Sequence, residues 1–249
     1  MIPIRDENPT LGTSIATFAV IGANVAAWVF VQGLGAEPAL TRSVCAFGAI
    51  PGALLGHVPP GASVPLGPGV ECVVGKPGWY TLVTSMFMHG GWFHILGNMW
   101  FLSVFGDNVE DAMGHGRFLA FYLLCGIAAA LAHVASSPGS AAPVVGASGA
   151  IGGVMGAYAA LYPRAPVHII VPLGLFLYNT VVPAYLMLGW WFLLQVIGGI
   201  PALQGAGGGV AFWAHVGGFA AGIALLPLFR DPVRVAAHRR QVADRFGAS

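Results

Sequence analysis

Long runs without a single Asp, Glu, Lys or Arg constrain this chain more than any other feature. Residues 8–36, 77–106, 118–163 and 165–229 are all uncharged and mostly apolar. Each crossing of a bilayer needs about 20 apolar residues to span roughly 30 Å of hydrocarbon. Over the whole 249 residues, 57% are hydrophobic and 8% charged, against about a quarter charged in a soluble domain. A soluble protein of this length could not cover its surface with so few charges. The chain reads as a multi-pass protein of the lipid bilayer. Its net charge of +1 supplies no concentrated basic surface, which argues against a nucleic-acid partner.

The runs predict six spans. The first fits one helix near Thr13–Leu34, and the second is most apolar from Gly91 to Gly106. The third is too long for one crossing and is broken by Ser136-Ser137-Pro138-Gly139-Ser140, giving helices near Arg117–Ala135 and Ser148–Tyr162. The fourth is split by the glycine-rich stretch Gly198–Gly209 into helices near Val182–Ile197 and Val210–Phe229. The expected architecture is an all-α, six-transmembrane-helix bundle over residues 13–230. A tail (residues 1–12) precedes it, a long outer loop (residues 35–79) interrupts it, and a basic tail (residues 231–249) follows. From Ser148 to the break at Pro163 the fourth helix has about 15 residues, or about 22 Å. That is shorter than the hydrocarbon is thick, so this helix is expected to start recessed below the outer surface.

Positive charge sets the orientation. Arg230, Arg234, Arg239, Arg240 and Arg245 crowd the C-terminal end, and Arg117 and Arg164 flank two short loops on the same side. Arg42 and Lys76 lie across the membrane in the long loop. Both termini are therefore expected in the cytoplasm, with the protein in a bacterial inner membrane. The first apolar run, whose leader carries Asp6 and Glu7, reads as a retained span rather than a cleaved signal. The tail arginines read as topology determinants or headgroup contacts. Cys125 falls in the third helix as a small packing residue. Cys45 and Cys72 share the outer loop, where an oxidising compartment permits a disulfide between them.

Polar residues inside apolar spans are costly and face a cavity or one another. His94 and Asn98 are four apart, on one face of the second helix. Ser148 opens the fourth helix, and His215 lies near the start of the sixth. With the N-terminus inside, these three helices all run inward, so the four residues share one depth in the outer half of the membrane. Gly149 with Gly153, Gly152 with Gly156, and Gly218 with Gly222 repeat the small-xxx-small spacing that lets helix backbones approach closely. His215, Gly218 and Gly222 share a face, so the fourth and sixth helices are expected to cross there and bring histidine beside serine.

A serine hydroxyl becomes a nucleophile when a neighbouring base accepts its proton. Acyl transfer then requires donors for the tetrahedral oxyanion, here the Ser148 N–H, the Asn98 amide and the His94 ring. The predicted spans contain no Asp or Glu, so the expected site is a Ser148–His215 dyad. Read singly, each element has a plainer role. Ser148 could be an N-cap, His215 and the His94–Asn98 pair interhelical hydrogen bonders, and His89 an interfacial residue. Their joint occurrence at one depth favours catalysis.

At these residues the chain resembles the rhomboid intramembrane serine proteases. Gly146-Ala147-Ser148-Gly149 with Gly153 resembles the family's GxSG segment, and His215 with Gly218 and Gly222 its HxxGxxxG segment. His89, His94 and Asn98 match the second-helix pattern. Gly106-Asp107-Asn108-Val109-Glu110-Asp111 with Gly114 and Arg117 resembles the loop into the third helix. The resemblance implies a six-helix fold with a cavity open outward, a Ser148–His215 dyad, oxyanion roles for His94 and Asn98, and transmembrane protein substrates that unwind near the cut. It also implies that Gly198–Gly209 forms a mobile cap. Two departures stand out. The family's tyrosine four residues after the serine is Gly152 here, leaving Trp213 or a neighbouring helix to orient His215. The first loop, rich in Gly and Pro from Gly48 to Gly69, lacks the family's Trp-Arg pair. The rival readings are an inactive relative that binds membrane clients, and a small transporter, which would show acidic or basic residues along a path and repeated halves. No cofactor is indicated, and the cysteines and histidines have no metal-ligand spacing.

Overall fold

The computed structural model describes residues 1–67, 69–76, 78–174, 176–203 and 210–247. It is mostly helical, with two small sheets that the expected all-α architecture lacked. Strand β1 (Ile2–Asp6) pairs antiparallel with β4 (Pro166–Leu173), which pairs with β5 (Phe176–Pro183). Val167 and Ile169 on β4 alternate inward, as one buried sheet face requires. A second hairpin, β2 (Ser63–Gly67) with β3 (Val70–Val73), lies in the long loop between the first two long helices. Short helices α2 (Ala39–Phe47), α3 (Pro51–Leu54) and α4 (Thr81–Thr84) occupy the rest of that loop.

The first apolar run forms α1 (Ile15–Ala26), which continues as a π-helical turn over Ala27–Val31. The second forms α5 (Trp92–Met113), the third α6 (His115–Ser136) and α7 (Ser148–Leu161), the fourth α8 (Ala184–Leu203) and α9 (Phe212–Phe229). A further helix, α10 (Pro232–Phe246), occupies most of the basic tail, where no element was anticipated. Its start is nonetheless written in the sequence: Pro232 follows Asp231, whose carboxylate accepts from the N–H groups of Val233 and Arg234, a capping arrangement that closes two orphan donors.

Among the described residues, three helices are long and apolar enough to cross a membrane: His115–Ser136, Ala184–Pro201 and Phe212–Phe229. Ile15–Val31 and Ser148–Leu161 are shorter apolar helices. The outward side of α8 carries Tyr185, Leu186, Trp190, Leu193, Leu194 and Ile197, a surface suited to lipid rather than water.

Two helices run past the expected ends of their spans. Helix α5 runs past Gly106 to Met113, and α8 runs past Ile197 to Leu203. The second span is expected to end where the uncharged run meets Asp107 and the fifth at the glycine-rich stretch from Gly198, and neither feature ends the helix; Gly106 and Gly198 instead let a neighbour come close. A Cβ on Gly106 would lie 2.8 Å from the Thr17 methyl, and one on Gly198 would lie 2.6 Å from the Phe212 ring. Residues 198–203 are thus helical rather than part of a cap, and the rest of the expected cap, residues 204–209, lies outside the described residues.

The extension of α5 also overturns the expectation of a carboxylate-free helix. Glu110 and Asp111 are buried near its end. Glu110 accepts from the Ala16 N–H (2.9 Å), the Thr17 N–H (2.7 Å) and the Thr17 hydroxyl (2.7 Å), and the Leu11 N–H donates to Asp111. Glu110 satisfies free donors at the start of α1, in the role usually taken by a local N-cap, and Asp111 holds the segment that leads into it. Glu110 sits twelve residues beyond Asn98, about 18 Å along the helix at 1.5 Å per residue, and is remote from the candidate serine.

The core is built on α7, whose residues Gly149 to Tyr158 are all buried. It is wrapped by α5, α6 and α9, with Leu102, Phe105, Phe121, Val154 and Met155 among the buried side chains. Helices α7 and α9 meet backbone to backbone: a Cβ on Gly218 would lie 1.9 Å from the Gly149 carbonyl oxygen, and one on Gly222 would lie 2.0 Å from that of Gly153. On the other side of α7, a Cβ on Gly153 would lie 2.5 Å from that of Cys125, and one on Gly149 would lie 2.6 Å from that of Ala129.

Candidate active site

The α7–α9 crossing fixes the position of the first turn of each helix. Ser148 is the first residue of α7 and His215 the fourth of α9. Their side chains meet: His215 Nε2 is 2.7 Å from Ser148 Oγ. Ser148 is therefore not spent as an N-cap. Ala147 holds the cap position and no side chain bonds there. The chain turns into α7 at Gly146, whose φ of +123° favours glycine. A Cβ at that position would lie 2.6 Å from His94 Nε2.

His94 and Asn98, on the first two turns of α5, line the same cavity as Ser148 and His215, with a volume of about 1150 Å³. His94 Nδ1 accepts a hydrogen bond from the Gly90 N–H at 3.2 Å. An accepting Nδ1 leaves the ring proton on Nε2, so Nε2 is a donor on the side of Gly146 and Ser148. Asn98 is buried, and its Nδ2 has no hydrogen-bond partner among the described residues. Two side-chain donors are thus held beside the serine without an acceptor of their own.

His89 is fully buried rather than interfacial. Its backbone exchanges two hydrogen bonds with the Gln32 amide, both at 2.8 Å. Its ring packs edge-on against His94, centroids 5.1 Å apart. It braces the ring of His94 and does not line the cavity.

His215 is held from α8. Its Nδ1 lies 2.7 Å from Gln195 Oε1, and the Trp191 ring lies 5.7 Å from it between centroids. Trp213, one of the two anticipated supports, points elsewhere and donates to the Gly199 carbonyl at 2.9 Å. Gly152 packs tightly where the family's tyrosine would stand. A Cβ there would lie 3.1 Å from the His215 carbonyl oxygen, a tight contact, and 3.8 Å from the Trp191 ring, so the room beside Gly152 is bounded by α9 and Trp191. Trp191 supplies the aromatic face instead. Gln195 and Trp191 were missed by sequence reasoning, although Gln195 obeys the rule that found His94 and Asn98, being a polar residue inside an apolar span. His133 on α6 also faces the cavity and was likewise overlooked.

No Asp or Glu among the described residues lines this cavity. Among the described residues there is also no group of His, Cys, Asp and Glu arranged to hold a metal. In the loop between α1 and α5, Cys45 and Cys72 come together with their Cα atoms 5.6 Å apart, within the reach of a disulfide. Cys125 is free and buried.

The arrangement can activate a serine oxygen, receive its proton and offer donors to a developing oxyanion. Comparison with known proteins identifies the family. The chain is 40% identical over 78 residues to rhomboid-like protein 11, chloroplastic, of Arabidopsis thaliana (31% of this chain, 28% of that one). It is 38% identical over 103 residues to rhomboid protease GluP of Bacillus subtilis (41% and 20%). It is 34% identical over 87 residues to rhomboid-like protein 6, mitochondrial, of Arabidopsis thaliana (35% and 27%). The matched segments span less than a third of each of these relatives' lengths. The family model for the rhomboid domain matches residues 76–232, more than half of the chain and every residue of the cavity's serine, histidine and asparagine set. The chain belongs to the rhomboid family.

Proposed function

We propose that this protein is an intramembrane serine endopeptidase that cleaves transmembrane segments of other membrane proteins. Ser148 Oγ attacks the scissile carbonyl carbon while His215 Nε2 takes its proton. The tetrahedral oxyanion accepts from the Ser148 N–H, the Asn98 amide and His94 Nε2–H. Collapse breaks the C–N bond, and His215 returns the proton to the leaving amine. Water, deprotonated by His215, then hydrolyses the acyl-enzyme and regenerates Ser148. The observation that carries this reading is the 2.7 Å contact between Ser148 Oγ and His215 Nε2, in a cavity also lined by Asn98, whose buried Nδ2 has no hydrogen-bond partner among the described residues.

The chain crosses the membrane six times, through α1, α5, α6, α7, α8 and α9. The arginines beyond Phe229 hold the C-terminus, and with it the N-terminus, in the cytoplasm. Helix α7, 14 residues long or about 21 Å, begins below the outer surface, so peptide bonds reach Ser148 within the membrane. Cys45 and Cys72 form a disulfide on the outer side. Substrates are single-span proteins whose helices unwind readily, since a helical peptide bond is shielded by its own hydrogen-bonded turn. Cleavage of a single-span reporter in liposomes by the wild-type protein, lost in Ser148→Ala and in His215→Ala, is the expected result. Cleavage surviving Ser148→Ala would sink the mechanism. A folded protein that cleaves none of several reporters would point to a client-binding relative.

A further inference from the structure

We infer that Gln195 is the positioning residue of this site, fixing the tautomer of His215 through a neutral amide where other serine hydrolases use a carboxylate. The inference rests on the serine-protease reading above and adds to it a third, uncharged member supplied by α8.

A general base for Ser148 must present an unprotonated Nε2 to the serine hydroxyl, so the ring proton must sit on Nδ1. Only an acceptor facing Nδ1 selects that tautomer. Gln195 Oε1 is such an acceptor, at 2.7 Å. An amide could in principle turn its NH2 to the ring instead, which would put the proton on Nε2 and remove the base. The second contact of Gln195 prevents this. Gln195 Nε2 donates to the Trp191 carbonyl at 3.3 Å, one helical turn back on α8. A flipped amide would set Oε1 against that carbonyl, acceptor against acceptor. Backbone and ring thus agree on a single orientation. Trp191 adds the ring face that packs beside His215, so one turn of α8 controls both the plane and the protonation pattern of the base.

The residue type suits the surroundings. Gln195 faces His215 from within the uncharged apolar run of residues 165–229, where an ionised carboxylate would cost far more than a neutral amide. The other titratable groups of the cavity, His94 on α5 and His133 on α6, are both imidazoles. Gln195 therefore orients the ring without a charge to stabilise the imidazolium. His215 is held in the base-competent tautomer by a neutral partner.

The test uses the full chain in lipid nanodiscs, with 15N-labelled histidine and His215 assigned by difference from His215→Ala. Wild type is expected to show His215 protonated at Nδ1 alone in its neutral form. Gln195→Met, which keeps length and helix propensity, is expected to give a mixture of tautomers. It should also lower kcat about 10- to 100-fold with KM within about twofold, because only the reacting geometry is lost. Gln195→Glu restores an acceptor and adds negative charge, so it should recover activity above Gln195→Met. It should also move the acidic limb of the kcat profile to higher pH, since a carboxylate favours protonated His215. An unchanged His215 tautomer together with unchanged kcat in Gln195→Met would overturn the inference. The tautomer is read without substrate, so it tests the role of Gln195 independently of cleavage. Failure of the protease reading would appear separately, as cleavage by Ser148→Ala or none by wild type.

Discussion

The glycines between α7 and α9 predict a variant that keeps both reacting side chains yet loses activity. In Gly218→Ala the added methyl would lie 1.9 Å from the Gly149 carbonyl oxygen and 2.9 Å from its carbon. Both atoms are backbone, and neither can rotate away. An ordinary C···O contact is about 3.3 Å, so the helices must part by roughly 1.4 Å. The Ser148–His215 contact spans the same two helices at 2.7 Å. If the full displacement reached it, the contact would lengthen to about 4 Å, beyond hydrogen bonding. Overpacking of this kind costs about 1–3 kcal/mol of stability, and a 1 Å misplacement at a reacting centre can cost about 100-fold in rate. Gly189→Ala is the control, because nothing lies within 4 Å of its Cβ position. Reporter cleavage in liposomes and thermal unfolding in detergent measure both effects. Gly218→Ala should unfold earlier and cleave at least tenfold more slowly, while Gly189→Ala should match wild type within about twofold. A Gly218→Ala protein with wild-type melting and wild-type rate would refute the claim that backbone contact sets the serine–histidine distance.

Further outcomes follow from the same geometry. His94→Ala and Asn98→Ala should each lower kcat by about 10- to 1000-fold, the range for loss of one oxyanion donor, with KM little changed; kinetics dominated by KM would assign them to substrate binding. Thiol titration of the unreduced, denatured protein should find one free thiol, Cys125, and three would remove the Cys45–Cys72 bond. Asp6, bonded to the Tyr158 hydroxyl, is lifted by burial from an ordinary 3.8 to about 6. A raised folded-state value means that folding favours the protonated carboxyl. The stabilisation is complete below about pH 4 and is lost as pH rises to about 6, by at most about 3 kcal/mol. Asp6→Asn keeps an acceptor for Tyr158 and removes the titration, so its melting temperature should fall less between pH 4 and 6; equal slopes would contradict this.

Most of the site was legible because lipid makes polar residues conspicuous. Ser148, His94, Asn98 and His215 stand out in apolar runs, and the glycine spacing indicates which helices touch. Gln195 passed the same criterion and was overlooked only because glutamine is not itself a reacting group. The fold was less legible where a residue had two uses. Gly198 looks like a helix break but accommodates the Phe212 ring, and Asp107 looks like the end of a helix that runs on to Met113; only the partners' positions reveal either role. Glu110 looks like a loop residue, yet it satisfies the start of α1 across a sequence separation no local pattern reveals. The β1–β4 pairing joins residues more than 160 positions apart, and nothing in the short strand Ile2–Asp6 names its partner.

The central claim is that Ser148 is a nucleophile made reactive by His215. A fluorophosphonate carries this to a direct measurement, since it reacts covalently with an activated serine. The wild-type protein in liposomes should take up one equivalent, mapped by peptide mass spectrometry to Ser148, and His215→Ala should take up almost none. Labelling at another residue, or equal labelling of Ser148 without His215, would contradict the account.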